Sequence, residues 1–150
     1  AHAVRALGMR VVLVGGPSDQ ERHWGRLIET AAGVPLQNQI GKDTLPLLLG
    51  LMARATVLLT PDSGPAHMAG MVNTPVIGLY AATNPARSGP YRSLAHCVDR
   101  FDAACRRFRG RPAEQLAWTT KIEEPGVMDL IEVEAVTERL DALMRGGGLG

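Results

Sequence analysis

The sequence predicts an α/β fold built as a doubly wound parallel sheet, and two observations predict it. Short, continuous apolar runs rich in Val, Ile and Leu alternate with segments whose apolar residues recur at helical spacing. Those runs end in glycine, hydroxyl and acidic residues, the chemistry of strand-to-helix turns. Apolar runs without polar alternation are buried on both faces, as parallel strands covered by helices are.

In chain order, Arg10–Gly16 is an apolar run ending in glycines and predicts a strand. Ser18 and Glu21 have the capping-box spacing, so a helix is expected to start there. Trp24, Leu27, Ile28 and Ala31 fall at helical spacing along it, and Gly33 is its natural stop. Val34–Gln37 is a short strand candidate, followed by the polar loop Ile40–Thr44. Leu45, Leu48, Leu49, Met52 and Ala53 mark a second helix with Pro46 in its first turn. Ala55–Leu59 predicts a third strand, and Ala66–Val72 a helix that starts after Pro65 and ends near Asn73. Pro75–Tyr80 is a fourth strand, Ala82–Tyr91 a polar loop and Ala95–Val98 a last short strand. Phe101–Gly126 is poorly patterned, with a short helix near Cys105 and irregular chain around Trp118. Val136, Leu140, Leu143 and Met144 place a final helix after Ile131. Ala1–Leu7 reads as the end of a helix begun earlier, so the chain is expected to be a piece of a longer protein. Arg145–Gly150 reads as a helix stop and a glycine tail.

A chain of 150 residues suffices for one domain with a real core. Its net charge of +1 gives no nucleic-acid signal. The arginines at 100, 106, 107, 109 and 111 form a local cluster, read either as an anion-touching surface or as a solvated face. Two cysteines without a CxxC spacing suggest reduced thiols rather than a disulfide framework or a zinc site. No apolar run approaches the roughly 20 residues of a membrane-spanning helix. GxGxxG and GxxxxGK[ST] are both absent, so neither a dinucleotide fingerprint nor a P-loop supports a function.

In doubly wound sheets ligands bind outside the carboxyl ends of the strands, and the distinctive residues fall there. Asp62-Ser63-Gly64 lies between a strand and a helix, where backbone N–H groups and a positive dipole end suit an anion. An ordinary N-cap by Asp62 or Ser63 explains the same residues. Gly15-Gly16 allows close backbone approach to a ligand or simply a tight turn. Glu21 could accept from ribose hydroxyls or complete the capping box. Lys42 and Asp43 could line a base or phosphate pocket, or serve as a loop charge and a helix cap. His67 is placed to donate to a phosphate or a leaving group. Thr83, Asn84 and Arg87 follow the fourth strand, where the Arg87 fork could reach an anionic group. Asp62, Ser63 and His67 do not make a hydrolase triad, because the G-x-S-x-G elbow is missing and Ser63 and His67 share one turn.

Asp62-Ser63-Gly64-Pro65-Ala66-His67-Met68-Ala69 resembles the D-[ST]-G-x-x-H-x-A signature of glycosyltransferase family 9, the ADP-heptose:lipopolysaccharide heptosyltransferases. Thr83-x-Pro85-x-Arg87-x-Gly89-Pro90 is similar to that family's following loop, and Met128–Val136 to its closing segment. Gly15-Gly16 with Glu21 fits its earlier strand and helix start. The resemblance implies a Rossmann-like domain, the C-terminal, donor-binding half of a two-domain B-type glycosyltransferase fold, occupying residues 1–150. The N-terminal acceptor-binding domain would lie outside the chain. It implies ADP-heptose as donor and the inner core of lipopolysaccharide as acceptor, with no nucleic-acid partner, no cofactor and no metal. By resemblance, Ser63, Gly64 and the N–H groups after Asp62 hold the diphosphate, and Asp62 binds sugar hydroxyls. Glu21, or its neighbour Gln20, takes the ribose, and the Lys42-Asp43 loop flanks adenine. No general base is assignable here; His67 is the one candidate for stabilising the leaving group. The resemblance also implies a cytoplasmic protein, with peripheral contact at the inner membrane for the full-length form. Alternative readings are a sugar-nucleotide epimerase half-domain and a non-catalytic nucleotide-binding module.

Overall fold

A computed structural model describes residues 7–42 and 44–146 of the chain. The expected helix end over residues 1–6, the glycine tail over 147–150 and Asp43 lie outside the described residues. The chain divides into two compact units, Ala1–Gly50 and Leu51–Gly150, and each carries its own parallel ladder.

In the first unit, strand β1 (Val11–Leu13) pairs in parallel with β2 (Leu36–Asn38). Helix α1 (Asp19–Ala32) connects them. The Ser18 half of the capping box forms as its sequence predicts, with Glu21 N–H donating to Ser18 Oγ at 3.2 Å; the Glu21 carboxylate accepts not from Ser18 N–H but from Ser18 Oγ–H at 2.9 Å and from Gly16 N–H at 3.0 Å. Gly33 ends the helix with a φ of 61°, the left-handed geometry that favours glycine. The predicted apolar residues behave differently. Trp24, Leu27, Ile28 and Ala31 are all exposed, Trp24 by 55%, and Gly25 is the helix's buried position. A Cβ at residue 25 would lie 2.6 Å from Ile40 Cδ1 and 3.1 Å from Asn38 Nδ2. The helix therefore seats on its smallest residue, which lets its backbone approach β2 closely, and the larger side chains project from other faces. Helix α2 (Leu45–Arg54) begins in this unit and continues past its boundary at Gly50, with Pro46 in its first turn and Leu45 and Leu47 exposed.

The second unit holds a three-stranded parallel ladder in the order β3 (Leu58–Pro61), β4 (Val76–Tyr80), β5 (Val98–Asp99). Its third strand sits later than the expected Ala55–Leu59. Ala55 N–H still bonds to Met52 O at 2.9 Å, finishing the preceding turn, and pairing begins only where Leu58 N–H reaches Pro75 O at 2.9 Å. Helix α3 (Gly64–Met71) returns the chain to β4 and stops at Asn73, whose φ of 59° closes the turn. The loop after β4 holds a one-turn helix, α4 (Pro85–Ser88), where a polar loop alone was expected. Asn84 builds it by accepting from Ala86 N–H at 2.9 Å through its side chain. β4 is the most buried strand: Val76, Ile77, Gly78 and Tyr80 are all buried.

Helix α5 (Phe101–Arg109) and the chain after it close this unit. Phe101, Ala104, Cys105, Ile122 and Val127 form one core cluster with Ala81. Ile122 is wholly buried, and its N–H donates to Ala82 O at 2.8 Å, which binds the irregular stretch to the end of β4. Polar contacts hold the same stretch from outside: Asp102 accepts from Ala113 N–H at 2.8 Å and from Arg106 Nε at 2.7 Å, and Arg109 pairs with Glu124. Arg100 pairs with Glu132 at 2.9 Å. The arginine cluster is thus largely neutralised by carboxylates, the solvated-face reading, and exposed pairs of this kind contribute about 0–1 kcal/mol each. Cys97 and Cys105 are free and buried, as reduced thiols were expected to be. Final helix α6 (Val133–Arg145) buries Leu140 and Leu143.

Replacing Ile122 with Ala is expected to lower unfolding stability by about 2–5 kcal/mol, read as a shift of the urea midpoint. The Ala113 N–H bond and the Arg106 guanidinium hold the Asp102 carboxyl below the usual carboxylate range. A depressed folded value adds stability above the unfolded value and loses it as pH falls. Thermal melts should therefore decline below about pH 4, and Asp102→Asn should flatten that decline.

Candidate functional site

The strand ends of the second unit gather most of the candidate residues. Asp62 and Ser63 follow β3, and Gly64 and Pro65 open α3. The expected N-cap does not form through a side chain. Ser63 stands at the cap position in extended backbone but makes no capping bond, because its hydroxyl pairs with Thr60 Oγ1 at 2.9 Å. Asp62 is turned elsewhere as well: its Oδ2 accepts from Ser88 Oγ at 2.7 Å, on α4. The start of α3 thus keeps its dipole end without a carboxylate or hydroxyl cap. His67, one turn further, is exposed to solvent.

The α4 loop contributes two polar groups of a different kind. Thr83 is buried, and its Oγ1 has no hydrogen-bond partner among the described residues. Arg87 Nε is likewise buried and unpartnered there. Native proteins pair most buried polar atoms, so two unpartnered ones in one short loop are unusual. The loop itself is firmly built. Gly89 N–H donates to Pro85 O at 2.8 Å, and a Cβ at residue 89 would meet that same oxygen at 2.5 Å. Tyr80, wholly buried at the end of β4, donates its hydroxyl to Ser88 O at 3.2 Å. Burial first, and the nearby Asp62 charge second, push the Tyr80 phenol well above its ordinary value, so it stays a donor.

Ser88 and Tyr80 were not among the residues the sequence singled out. Their only signal was position, Tyr80 at the end of the strand that leads into the loop of Thr83 and Arg87, and Ser88 within that loop.

In the first unit, taken alone, Gly15, Gly16 and Glu21 are brought together, but by each other. Gly16 N–H donates to Glu21 Oε1 at 3.0 Å while Ser18 holds Oε2. A Cβ at residue 16 would lie 2.7 Å from Glu21 Oε2, so the glycine makes room for this carboxylate. Glu21 therefore serves Ser18 and its own loop in this structure. Lys42 is exposed, donates to Asn38 O at 3.1 Å and borders a cavity of about 400 Å³ shared with Arg22, Arg26, Glu29 and Ile40. Asp43, expected beside it, lies outside the described residues. Among the described residues there is no cluster of three or more His, Cys, Asp or Glu side chains able to hold a metal, and no helix long and apolar enough to cross a membrane.

Residues 1–117 match the family described as glycosyltransferase family 9 (heptosyltransferase). The chain is 34% identical over 135 residues to the lipopolysaccharide core heptosyltransferase OpsX of Haemophilus influenzae, a match covering 90% of this chain and 39% of that protein. It is 37% identical over 83 residues to lipopolysaccharide heptosyltransferase 3 of Escherichia coli, covering 55% of this chain and 24% of that one. The crystal structure of the family 9 glycosyl transferase from Veillonella parvula superposes with a TM-score of 0.70 at 22% identity, covering 97% of this chain and 40% of that one. The structure of E. coli ADP-heptose lps heptosyltransferase II gives a TM-score of 0.63 at 21% identity, over 96% and 39% of the two chains. At these identities the two structures speak for the fold. This chain spans about two fifths of the length of OpsX and of both solved structures.

Replacing Gly78 with Ala tests how closely the site rests on Tyr80. The added methyl group would meet the Tyr80 ring at 2.6 Å and Cys97 Sγ at 3.0 Å, so a stability loss of about 1–3 kcal/mol is expected in urea denaturation.

Proposed function

Because this chain belongs to glycosyltransferase family 9, we propose that it is the donor-binding part of an enzyme that moves a heptose from ADP-heptose to the inner core of lipopolysaccharide. In this reading the acceptor-binding domain and the general base lie outside these 150 residues, and the chain by itself binds donor without transferring sugar. The observation that carries it is the start of α3: a helix N-terminus left without a side-chain cap, directly after a carboxylate and beside a loop with unpartnered buried Thr83 Oγ1 and Arg87 Nε. Family membership and the OpsX match support the choice of a nucleotide-sugar over other anions.

The chemistry follows from these groups. Breaking the sugar C1–O bond leaves negative charge on the departing diphosphate. Backbone N–H groups of Ser63 and Gly64, with the α3 dipole, are aimed at such charge before the reaction begins. The Arg87 fork and the His67 ring are further donors for the same oxygens. Asp62 accepts from sugar hydroxyls through the oxygen that Ser88 does not occupy. In residues 1–50, taken alone, Glu21 is the proposed acceptor for ribose hydroxyls, and Lys42 with Asp43 the proposed border of adenine. Each Glu21 oxygen accepts one bond, from Gly16 or from Ser18, and keeps a second lone pair with which to accept from ribose. The proposal involves no metal and no other cofactor. The full-length protein is proposed to be cytoplasmic, working at the inner-membrane face where its lipid-linked acceptor is found.

Calorimetry tests the reading. ADP should bind more tightly than UDP, ADP-heptose should bind in the presence of EDTA, and Asp62→Ala should weaken ADP-heptose about tenfold through loss of a charged acceptor. Tighter binding of UDP, or unchanged affinity in the Asp62 variant, overturns it.

A further inference from the structure

Ser88 reaches Asp62 across 26 residues of sequence, and three independent contacts fix where its hydroxyl stands. Asn84 caps the first turn of α4, with Ala86 N–H donating to its Oδ1 at 2.9 Å. Gly89 N–H closes the other end on Pro85 O at 2.8 Å. From beneath, the Tyr80 hydroxyl donates to the Ser88 carbonyl at 3.2 Å, and Tyr80 itself is immobilised by complete burial against Gly78. The backbone of Ser88 is therefore held on both sides and from the strand below.

The direction of the Ser88–Asp62 bond is settled by chemistry. An ionised carboxylate only accepts, so Ser88 Oγ is the donor. Ser88 Oγ also lies 3.4 Å from Asn84 O, but it has one proton, and the charged acceptor at 2.7 Å takes it. Ser88 is half-buried, which limits competition from water. Among the described residues no donor meets the other Asp62 oxygen, Oδ1. One carboxylate oxygen is thus occupied by the protein and one is left to accept.

We propose that Ser88 is a positioning residue for donor recognition: its hydroxyl holds Asp62 Oδ2 so that Oδ1 is presented to the sugar hydroxyls of a nucleotide-sugar. This rests on the reading of Asp62 as a sugar-binding residue. Ser88 does not touch the donor; it acts through Asp62. Without the bond, the Asp62 side chain can rotate about χ1 and χ2, and its acceptor loses orientation rather than charge. The sugar portion of the ligand should feel that loss, and the ADP portion should not.

The experiment is calorimetry on the full chain with ADP and with ADP-heptose. Four variants are compared: Ser88→Ala, Ser88→Thr, Asp62→Ala and the Ser88→Ala/Asp62→Ala double variant. Ser88→Ala should weaken ADP-heptose about three- to fivefold, less than the loss of Asp62 itself, and change ADP less than about twofold. Ser88→Thr, which keeps the hydroxyl, should restore ADP-heptose affinity. The double variant should bind ADP-heptose no more weakly than Asp62→Ala alone, because both changes remove the same interaction. If Asp62→Ala weakens ADP-heptose and Ser88→Ala does not, positioning is overturned while the sugar-binding reading stands. Equal weakening of ADP and ADP-heptose by Ser88→Ala, or full additivity in the double variant, makes Ser88 a structural residue and also overturns it. If Asp62→Ala itself leaves ADP-heptose unchanged, the sugar-binding reading fails and the positioning role fails with it.

Discussion

The phenol of Tyr80 is sealed inside the second unit at the end of β4, and a buried hydroxyl has to find an acceptor. It finds the carbonyl of Ser88. Together with the Asn84 cap and the Gly89–Pro85 bond, this contact holds the loop after β4 in place. Gly78, two residues earlier, is required because any side chain there would strike the ring. The Tyr80 carbonyl in turn accepts from Arg100 N–H at 2.6 Å, at the entry to α5. One residue therefore ties the most buried strand to the α4 loop through its side chain and to the next helix through its backbone.

The consequence reaches the candidate site. With Ser88 fixed, its hydroxyl meets Asp62, and with Asp62 held there and Ser63 paired with Thr60, neither caps α3. A helix N-terminus that could have been satisfied internally is left for something else. The same loop buries Thr83 Oγ1 and Arg87 Nε without partners. Folding that spends its carboxylate on α4 rather than on α3 forgoes a cap contributing about 1 kcal/mol. In the proposed reading, the phosphate oxygens of the donor return that stabilisation on binding. In the first unit the balance runs the other way. There Glu21 accepts from Ser18 and Gly16, and Ser18 caps its own helix before any ligand arrives.

Much of the secondary structure was legible because its causes are local. The Ser18–Glu21 box, the left-handed Gly33, Pro46 and Pro65 in first turns and the apolar run Val76–Tyr80 all act within a few residues. The α4 turn was missed because Asn84 and Pro85, which start it, suit a loop equally well. The face of α1 was misjudged for a different reason. Periodicity reports where large apolar side chains fall, yet this helix seats on Gly25, whose value lies in having no side chain. The stretch after Phe101 carried no pattern because its order comes from outside: Ile122 docks on Ala82, Asp102 holds Ala113, and Arg109 holds Glu124.

By itself, the sequence determined the parallel α/β class, the strand-end location of the distinctive residues and, through Asp62–Ala69, the family. Each depends on residue type and on short spacing, which a chain displays before it folds. Only the tertiary structure decided what those residues do to one another. It turned Asp62 toward Ser88, paired Ser63 with Thr60, gave Glu21 to its own loop and set carboxylates against most of the arginine cluster. Asp62 had two acceptor oxygens and several donors within plausible reach. Which donor it meets depends on how a buried tyrosine places a turn 26 residues away, and no local pattern encodes that distance.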